Sequence, residues 1–306
     1  MGNQTAITEF ALLGLSNDRQ IQKFLFFIFL IIYTTTLLGN SLIIMVIRTQ
    51  PGFHNPMFFF LSHLAFTDIC YSSVTVPKML ENFTARQKTI SRLGCITQIF
   101  FFTVFCCVDI FLLLAMAYDR YVAICDPLHY STVMKKQMCK LLVRGAWLMA
   151  LLDASLNTFP LTDLTFCRKS SINHYTCEQP ELLSLSCSDS FPSYTVRLVS
   201  TFCFGFIPFL SMIISYIYII SSILKIRSAK GRSKAFSTCS SHLIVSSMFF
   251  LSAFFRYLKP SSSLTELDTV ISIQYNILTP MLNPIIYSLK NQEIKSIIWK
   301  SFGKCR

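Results

Sequence analysis

Apolar residues along this chain fall into long blocks separated by short polar stretches. The first block runs from Phe24 to Ile47 without an Asp, Glu, Lys or Arg. A second covers 57–80, with Asp68 near its middle and Lys78 near its end. A third, 95–118, is interrupted by Asp109, and a fourth, 141–161, by Arg144 and Asp153. Blocks at 198–224, 235–255 and 269–289 are free of those four residue types. A helix needs about 20 residues to cross the hydrocarbon core of a bilayer, and each block is that long. The blocks lack the period-2 alternation of barrel strands, and helices are the other way to satisfy a backbone in lipid. The pattern therefore predicts an all-α membrane protein built as a seven-transmembrane-helix bundle. One domain over 1–306 is expected, because helices from all parts of the chain must pack together to bury their polar residues. Beyond the seventh block, Ile294, Ile297, Ile298 and Phe302 share one helical face, with Lys295, Lys300 and Lys304 around it. That spacing predicts a short amphipathic C-terminal helix on the membrane surface, within the tail 290–306.

Charge adds an orientation. Arg48, the loops 120–140 and 225–234, and the tail from Lys290 lie on one face and hold fifteen Lys and Arg, against three acids there when the adjoining Asp119 is counted with Asp126 and Glu293. The opposite face holds ten against nine. The basic face is expected to be cytoplasmic, which puts the N-terminal segment 1–23 outside a plasma membrane that the chain crosses several times. The net charge of +12 then serves anionic membrane lipid and an intracellular partner, and argues for no nucleic acid. No charged region followed by a short apolar stretch opens the chain, so the first helix is expected to act as a signal anchor. Asn3-Gln4-Thr5 is a glycosylation sequon on the outer side, and Asn82-Phe83-Thr84 is a second one too close to a helix end to be used.

Composition changes little: 14% of residues are charged, against about 25% in soluble domains. The 12 cysteines sort by compartment. Cys95, Cys167, Cys177 and Cys187 fall on the oxidising side, where disulfides persist, and spacing does not choose among their three pairings. Asp68 and Asp109 are carboxylates within helices two and three. Such acids mark ion sites or hydrogen-bond to neighbouring helices, with Asn40 and Asn283 available as partners. Asp119 and Arg120 form an adjacent acid and guanidinium at a membrane edge, a partly desolvated pair that can break and remake as helices move. His174, with Cys177 and Glu178 beyond it, has a spacing open to metal, but a disulfide would occupy the thiol.

Met116-Ala117-Tyr118-Asp119-Arg120-Tyr121-Val122-Ala123-Ile124-Cys125 continues into Asp126-Pro127-Leu128-His129-Tyr130. With it stand Gly39-Asn40, Asn55-Pro56-Met57 leading to Asp68, Ser215-Tyr216, the run Lys234 to Leu243, and Pro280-Met281-Leu282-Asn283-Pro284-Ile285-Ile286-Tyr287. In that order, these residues resemble the rhodopsin-like G-protein-coupled receptors, and within them the olfactory receptors. The resemblance covers nearly the whole chain. It implies a receptor for a small, mostly apolar odorant that activates a stimulatory heterotrimeric G protein and raises cyclic AMP. It implies disulfides Cys95–Cys177 and Cys167–Cys187, and a sodium site flanked by Asp68 and Asp109, where Asp109 stands in place of the more usual Glu. No other cofactor is implied. A switch is implied at Asp119, Arg120, Tyr121, Tyr216, His242, Asn283, Pro284 and Tyr287, with Arg120 released from Asp119 toward Tyr216. The ligand pocket would be lined by Phe102, Thr103, Cys106 and Cys107 on helix three and by Ser200, Thr201 and Phe204 on helix five. Phe250, Phe254 and Tyr257 on helix six and Asn276 on helix seven would complete it. Phe250 replaces the family's usual Tyr, so one pocket hydroxyl is missing.

Other functions fit less well. A channel or transporter would use the buried carboxylates, but the chain has no repeated halves. An intramembrane enzyme lacks a metal-ligand or nucleophile motif. Block 269–289 has no Lys for a retinal Schiff base, and Phe102 stands where amine receptors carry Asp. A member of the family tuned to a tissue metabolite remains open. Arg197 and Arg256, near the outer ends of helices five and six, are expected to reach up to water or headgroups; turned inward, either would pair a carboxylate ligand.

Overall fold

The computed structural model describes residues 8–49, 55–166, 171–257 and 266–290. Seven long helices run through it: α1 (Arg19–Thr49), α2 (Pro56–Thr84), α3 (Arg92–Cys125), α4 (Lys136–Thr158), α5 (Phe191–Leu224), α6 (Ala229–Tyr257) and α7 (residues 266–290). Short helices at Tyr130–Val133 and Gln179–Ser184 lie between them. Each long helix covers its predicted apolar block, except that α4 stops at Thr158. Pro160 follows, and the chain tightens into a 3₁₀ turn at Phe159–Thr162. Elsewhere the helices overrun their blocks by a turn or so, because a block records only what lies in hydrocarbon. At ~1.5 Å per residue, the 29 to 34 residues of α1, α2 and α3 span about 45–50 Å. That exceeds the ~30 Å apolar layer. Caps fix two of the starts: Asn55 accepts from the Phe58 amide at 3.1 Å, and Ser91 from the Gly94 amide at 3.0 Å.

α1, α2, α3, α5 and α6 are long and apolar enough to cross a membrane by themselves. α4, with Lys136, Lys140 and Arg144, and α7, with Gln274, Asn276 and Asn283, are more polar and pack as members of the same bundle. α3 is the central helix, flanked by α2, α4 and α5. α7 closes the ring against α1, α2 and α6. Phe58, Leu112, Val108 and Ile219 are fully enclosed between helices. Leu38 is 72% exposed, and Phe24, Ile31, Leu148 and Leu224 also point outward. An apolar rim of that extent suits lipid and not water.

Two prolines explain how α7 meets its neighbours. Pro284 has no N–H, so the Pro280 carbonyl four residues back loses its helical donor. Asn40 of α1 replaces it, donating from Nδ2 at 3.0 Å. Gly39, one residue earlier, allows the approach: a Cβ there would sit 3.1 Å from Pro284 Cγ.

At the end of the bundle where the chain begins, a three-stranded sheet of order β2-β1-β3 forms a lid. β1 (Glu9–Leu12) pairs antiparallel with β2 (Thr89–Ser91) and parallel with β3 (Ser171–Ile172). Nothing in the apolar pattern predicts these strands, which are two to four residues long. Phe10 and Leu12 of β1 are buried against Phe166 and Leu161, and Arg92 donates to the Thr162 and Leu164 carbonyls at 2.6 and 3.0 Å. Asn3 and the amphipathic segment of the tail lie outside the described residues. Asn82 is buried within α2.

Candidate functional site: a lidded cavity and a paired-charge switch

A disulfide joins Cys95, at the start of α3, to Cys177 in the lid, with their Cα atoms 5.4 Å apart. Gln98, less than a turn further along α3, accepts from the Cys177 amide at 3.0 Å and donates to the Val74 carbonyl of α2 at 2.9 Å. The lid is thus fixed to two helices beside the bond. Cys187 is also disulfide-bonded; Cys167 lies outside the described residues.

Below this lid is a cavity of about 90 Å³. At about 10–15 Å³ for each water-sized group, that is room for roughly six to nine such groups. Nine of the eleven expected ligand residues line it: Phe102, Thr103, Cys106 and Cys107 of α3, Ser200, Thr201 and Phe204 of α5, and Phe250 and Phe254 of α6. The side chain of Tyr257 lies outside the described residues. Asn276 does not line the cavity. It accepts from Tyr71 Oη at 3.0 Å and donates to Tyr175 Oη and Ser272 Oγ at 3.0 and 2.9 Å. Those bonds hold it behind Phe102 and tie the lid to α2 and α7.

Sequence reasoning placed Thr103, Ser200 and Thr201 in the wall and missed its charged and amide residues. Asp153 and Asn157 of α4, Glu178 and Gln179 of the lid, and Arg197 of α5 all line the cavity. Arg197 was expected to reach outward; instead it is 3% exposed, with its guanidinium 5.2 Å from the centre of the Tyr194 ring. The reason is local. α5 begins seven residues before its apolar block, at Phe191, so Arg197 belongs to the helix wall and not to a connecting loop. Asp153 and Asn157 share one face of α4 at a spacing of four, a signal that was available. Arg256 lies outside the described side chains. His174, Glu178 and Glu181 gather under the lid, with His174 Nε2 4.0 Å from Glu178 Oε1, and Cys177 is taken up by the disulfide.

Two turns of π-helix border this region, Thr201–Phe206 in α5 and Gln274–Leu278 in α7. Each ends two residues before a proline, Pro208 or Pro280. A proline ring clashes with the carbonyl four residues back, and widening the preceding turn relieves that clash. In α5 the widened turn carries Thr201, Phe204 and Gly205 into the cavity wall.

The opposite end of α3 carries the charged pair. Arg120 donates from Nε to Asp119 Oδ2 at 3.0 Å, and from Nη2 as well. Tyr130, in the short helix after α3, donates to Asp119 Oδ1 at 2.8 Å. Burial first, and then the Asp119 carboxylate, push the Tyr130 phenol upward, so it remains a donor. Tyr216 of α5 bonds His242 Nδ1 of α6, and His242 Nε2 faces the Leu113 carbonyl of α3 at 3.0 Å. A carbonyl can only accept, so Nε2 carries the proton and, in the neutral ring, Tyr216 donates to Nδ1. Tyr121 packs between Tyr118 and Tyr218. Asn283 donates to both Asp68 oxygens at 3.0 Å, Thr67 donates to Asp109, and Tyr287 is buried nearby.

A bundle of seven membrane helices, with a lidded cavity at one end and a charged pair ending the central helix, defines a receptor of the rhodopsin class and not an enzyme. Squid rhodopsin superimposes with a TM-score of 0.76 at 18% identity, over 95% of this chain and 88% of that one. The family model for olfactory receptors matches residues 29–304. Olfactory receptor 1G1 of Gorilla gorilla gorilla is 48% identical over 299 residues, covering 97% of this chain and 96% of that protein. Olfactory receptor 8S1 of Homo sapiens is 48% identical over 295 residues, with 96% and 82% covered. Olfactory receptor 1E16 of Mus musculus is 46% identical over 303, with 99% and 96% covered. The chain belongs to the olfactory receptor family.

Proposed function

We propose that this olfactory receptor takes a small, mostly apolar volatile into the lidded cavity and passes the resulting helix movement to a stimulatory heterotrimeric G protein, raising cyclic AMP. The N-terminus and lid face the outside of the plasma membrane, and the Arg120 end faces the cytoplasm. The cavity carries this reading: it has a lid anchored to α3 in its lining, is sized for a small molecule, and is lined by Phe102, Phe204, Phe250 and Phe254. An aromatic-sized odorant buries about 150–250 Å². At ~25 cal/mol per Å² that contributes about 4–6 kcal/mol, equivalent to roughly millimolar to tens-of-micromolar affinity. Ligand-driven movement of α6 would part His242 from α3 and free Arg120 from Asp119 to meet Tyr216 and the G protein. Arg120→Ala should reach the cell surface and give no cyclic AMP response to an odorant panel that activates the wild type. Undiminished signalling by that variant would overturn the switch.

The family also implies sodium between α2 and α3. Asp68 and Asp109 are both buried, and Asn283 Oδ1 is buried with no hydrogen-bond partner among the described residues. Two carboxylates and an unmatched amide oxygen are an all-oxygen donor set of the kind a hard cation prefers, so the residues fit the ion. Raising sodium at constant ionic strength should shift odorant potency in the wild type and leave Asp68→Asn unmoved. An equal shift in both would remove sodium from this site.

A further inference from the structure

The cavity has two unlike walls. Phe102, Phe204, Phe250 and Phe254 form the apolar one, contributed by α3, α5 and α6. The polar one comprises Asp153 and Asn157 of α4 and Ser200 and Arg197 of α5, all buried and all lining the cavity. Their arrangement is internally fixed. Asp153 Oδ1 accepts from Asn157 Nδ2 at 2.8 Å and from Ser200 Oγ. Asn157 Nδ2 also donates to Ser200 Oγ at 2.8 Å, and Gln179 Nε2 reaches the Asn157 carbonyl at 3.3 Å. Both donors engage Oδ1. Among the described residues no N–H or O–H is seen to donate to Oδ2, and the Cys107 thiol is a further, weak hydrogen-bond partner of the carboxylate. A buried carboxylate held in this way presents acceptor capacity to whatever fills the cavity.

We infer that the receptor selects small alcohols and phenols: one hydroxyl donates to Asp153 and accepts from the donors around it, while the hydrocarbon body lies on the Phe wall. The inference rests on the cavity being the odorant site. A hydroxyl is the smallest neutral group that donates and accepts at one atom. An ether or ester of equal shape cannot donate, and leaves the carboxylate facing hydrocarbon, a cost that sites built for hydroxyls use to reject such analogues. A carboxylic acid, ionised, adds a further negative charge to a lining that already has Asp153 and Glu178 against Arg197. A protonated amine would be drawn to Asp153 and Glu178, but it offers donors only, so nothing on it accepts from the polar wall. Charge balance in the lining therefore runs against the carboxylate ligand that an inward Arg197 suggests when taken alone.

The test is a set of dose–response curves in cells expressing the full chain. The probes are 1-hexanol, cyclohexylmethanol and benzyl alcohol, each beside its isosteric ether, carboxylic acid and primary amine. Each active alcohol should be about 10- to 150-fold more potent than its ether, the worth of one hydrogen bond to a charged group. Asp153→Asn turns an amide N–H₂ toward the ligand and should bring the alcohol-to-ether ratio toward one. Asp153→Ala, which takes the acceptor away altogether, provides the same comparison if Asp153→Asn does not reach the surface. Phe254→Ala should weaken all four head groups alike. An ether, acid or amine that matches or exceeds its alcohol on the wild type overturns the hydroxyl inference. So does an unchanged ratio in Asp153→Asn or Asp153→Ala while Phe254→Ala weakens every compound. If all three variants respond as the wild type does at equal surface level, the cavity itself is not the odorant site.

Discussion

Single residues hold this bundle together where a helix cannot satisfy itself. Gly39, Asn40 and Pro284 were legible in the sequence as motif positions, but the motif does not say what they do for one another. Pro284 removes the donor to Pro280, Asn40 restores it, and Gly39 lets α1 come close enough for that. Asn40→Ala should therefore strand a buried carbonyl and cost about 1–3 kcal/mol. Thr36→Ala, which loses only a bond within its own helix, should cost less. Melting temperatures of the two purified variants in detergent would check this, and an equal loss would mean that water replaces Asn40. Gly39→Val should be worse than either, because its Cβ meets the Pro284 ring at 3.1 Å. Arg197 shows the limit of reading by residue type. A guanidinium near a helix end is expected to seek water, and Pro192 in the first turn signals that α5 starts before Arg197 without saying that the side chain turns into the cavity wall.

At the scale of elements, the seven helices were readable because hydrocarbon imposes a length and a polarity on each. The lid was not. Its strands are too short for alternation to register, and their partners come from three distant segments, so only tertiary pairing creates them. The π turns were within reach, since a proline follows each by two residues, but a proline alone does not distinguish a kink from a widened turn. The expected ligand residues on α3, α5 and α6 are what the family resemblance implies, and nine of them line the cavity. The α4 and lid contributions depend on where α4 sits against α3, which spacing does not encode. The disulfide gives the element-scale prediction. Cys95→Ser, Cys177→Ser and the double variant should lose surface expression or odorant response to the same degree, because each removes the one bond. Additive losses would mean that the two residues act separately. Phe10→Ala, which opens the contact between β1 and Phe166, should weaken odorant potency in the same direction by leaving the lid without its packing.

Across the whole molecule, the cavity and the charged pair lie at opposite ends of α3, and α5 and α6 pack against that helix. Phe204 and Phe250 line the cavity, and further along the same helices Tyr216 and His242 meet each other. Movement of α6 away from α3 is then felt at His242, whose proton on Nε2 is shared with the Leu113 carbonyl. On the proposed switch that contact is a clasp of the resting receptor. Coupling between two sites needs an element with two arrangements that both sites bias, and the clasp supplies the intrinsic bias. His242→Leu keeps the volume apolar and removes the bond to Leu113 together with the acceptor for Tyr216. If about 1–3 kcal/mol of resting-state preference disappears, the ratio of active to resting receptor rises by roughly 5- to 150-fold. Cells expressing His242→Leu should show raised cyclic AMP with no odorant present, and odorant potency should improve because less of the binding energy is spent on opening the clasp. Adding Arg120→Ala to the same chain should return basal cyclic AMP to that of untransfected cells, since the helix can move but the group that meets the G protein is gone. A His242→Leu receptor at normal surface level with basal signalling at or below the wild type would show that this histidine supports the active arrangement and not the resting one.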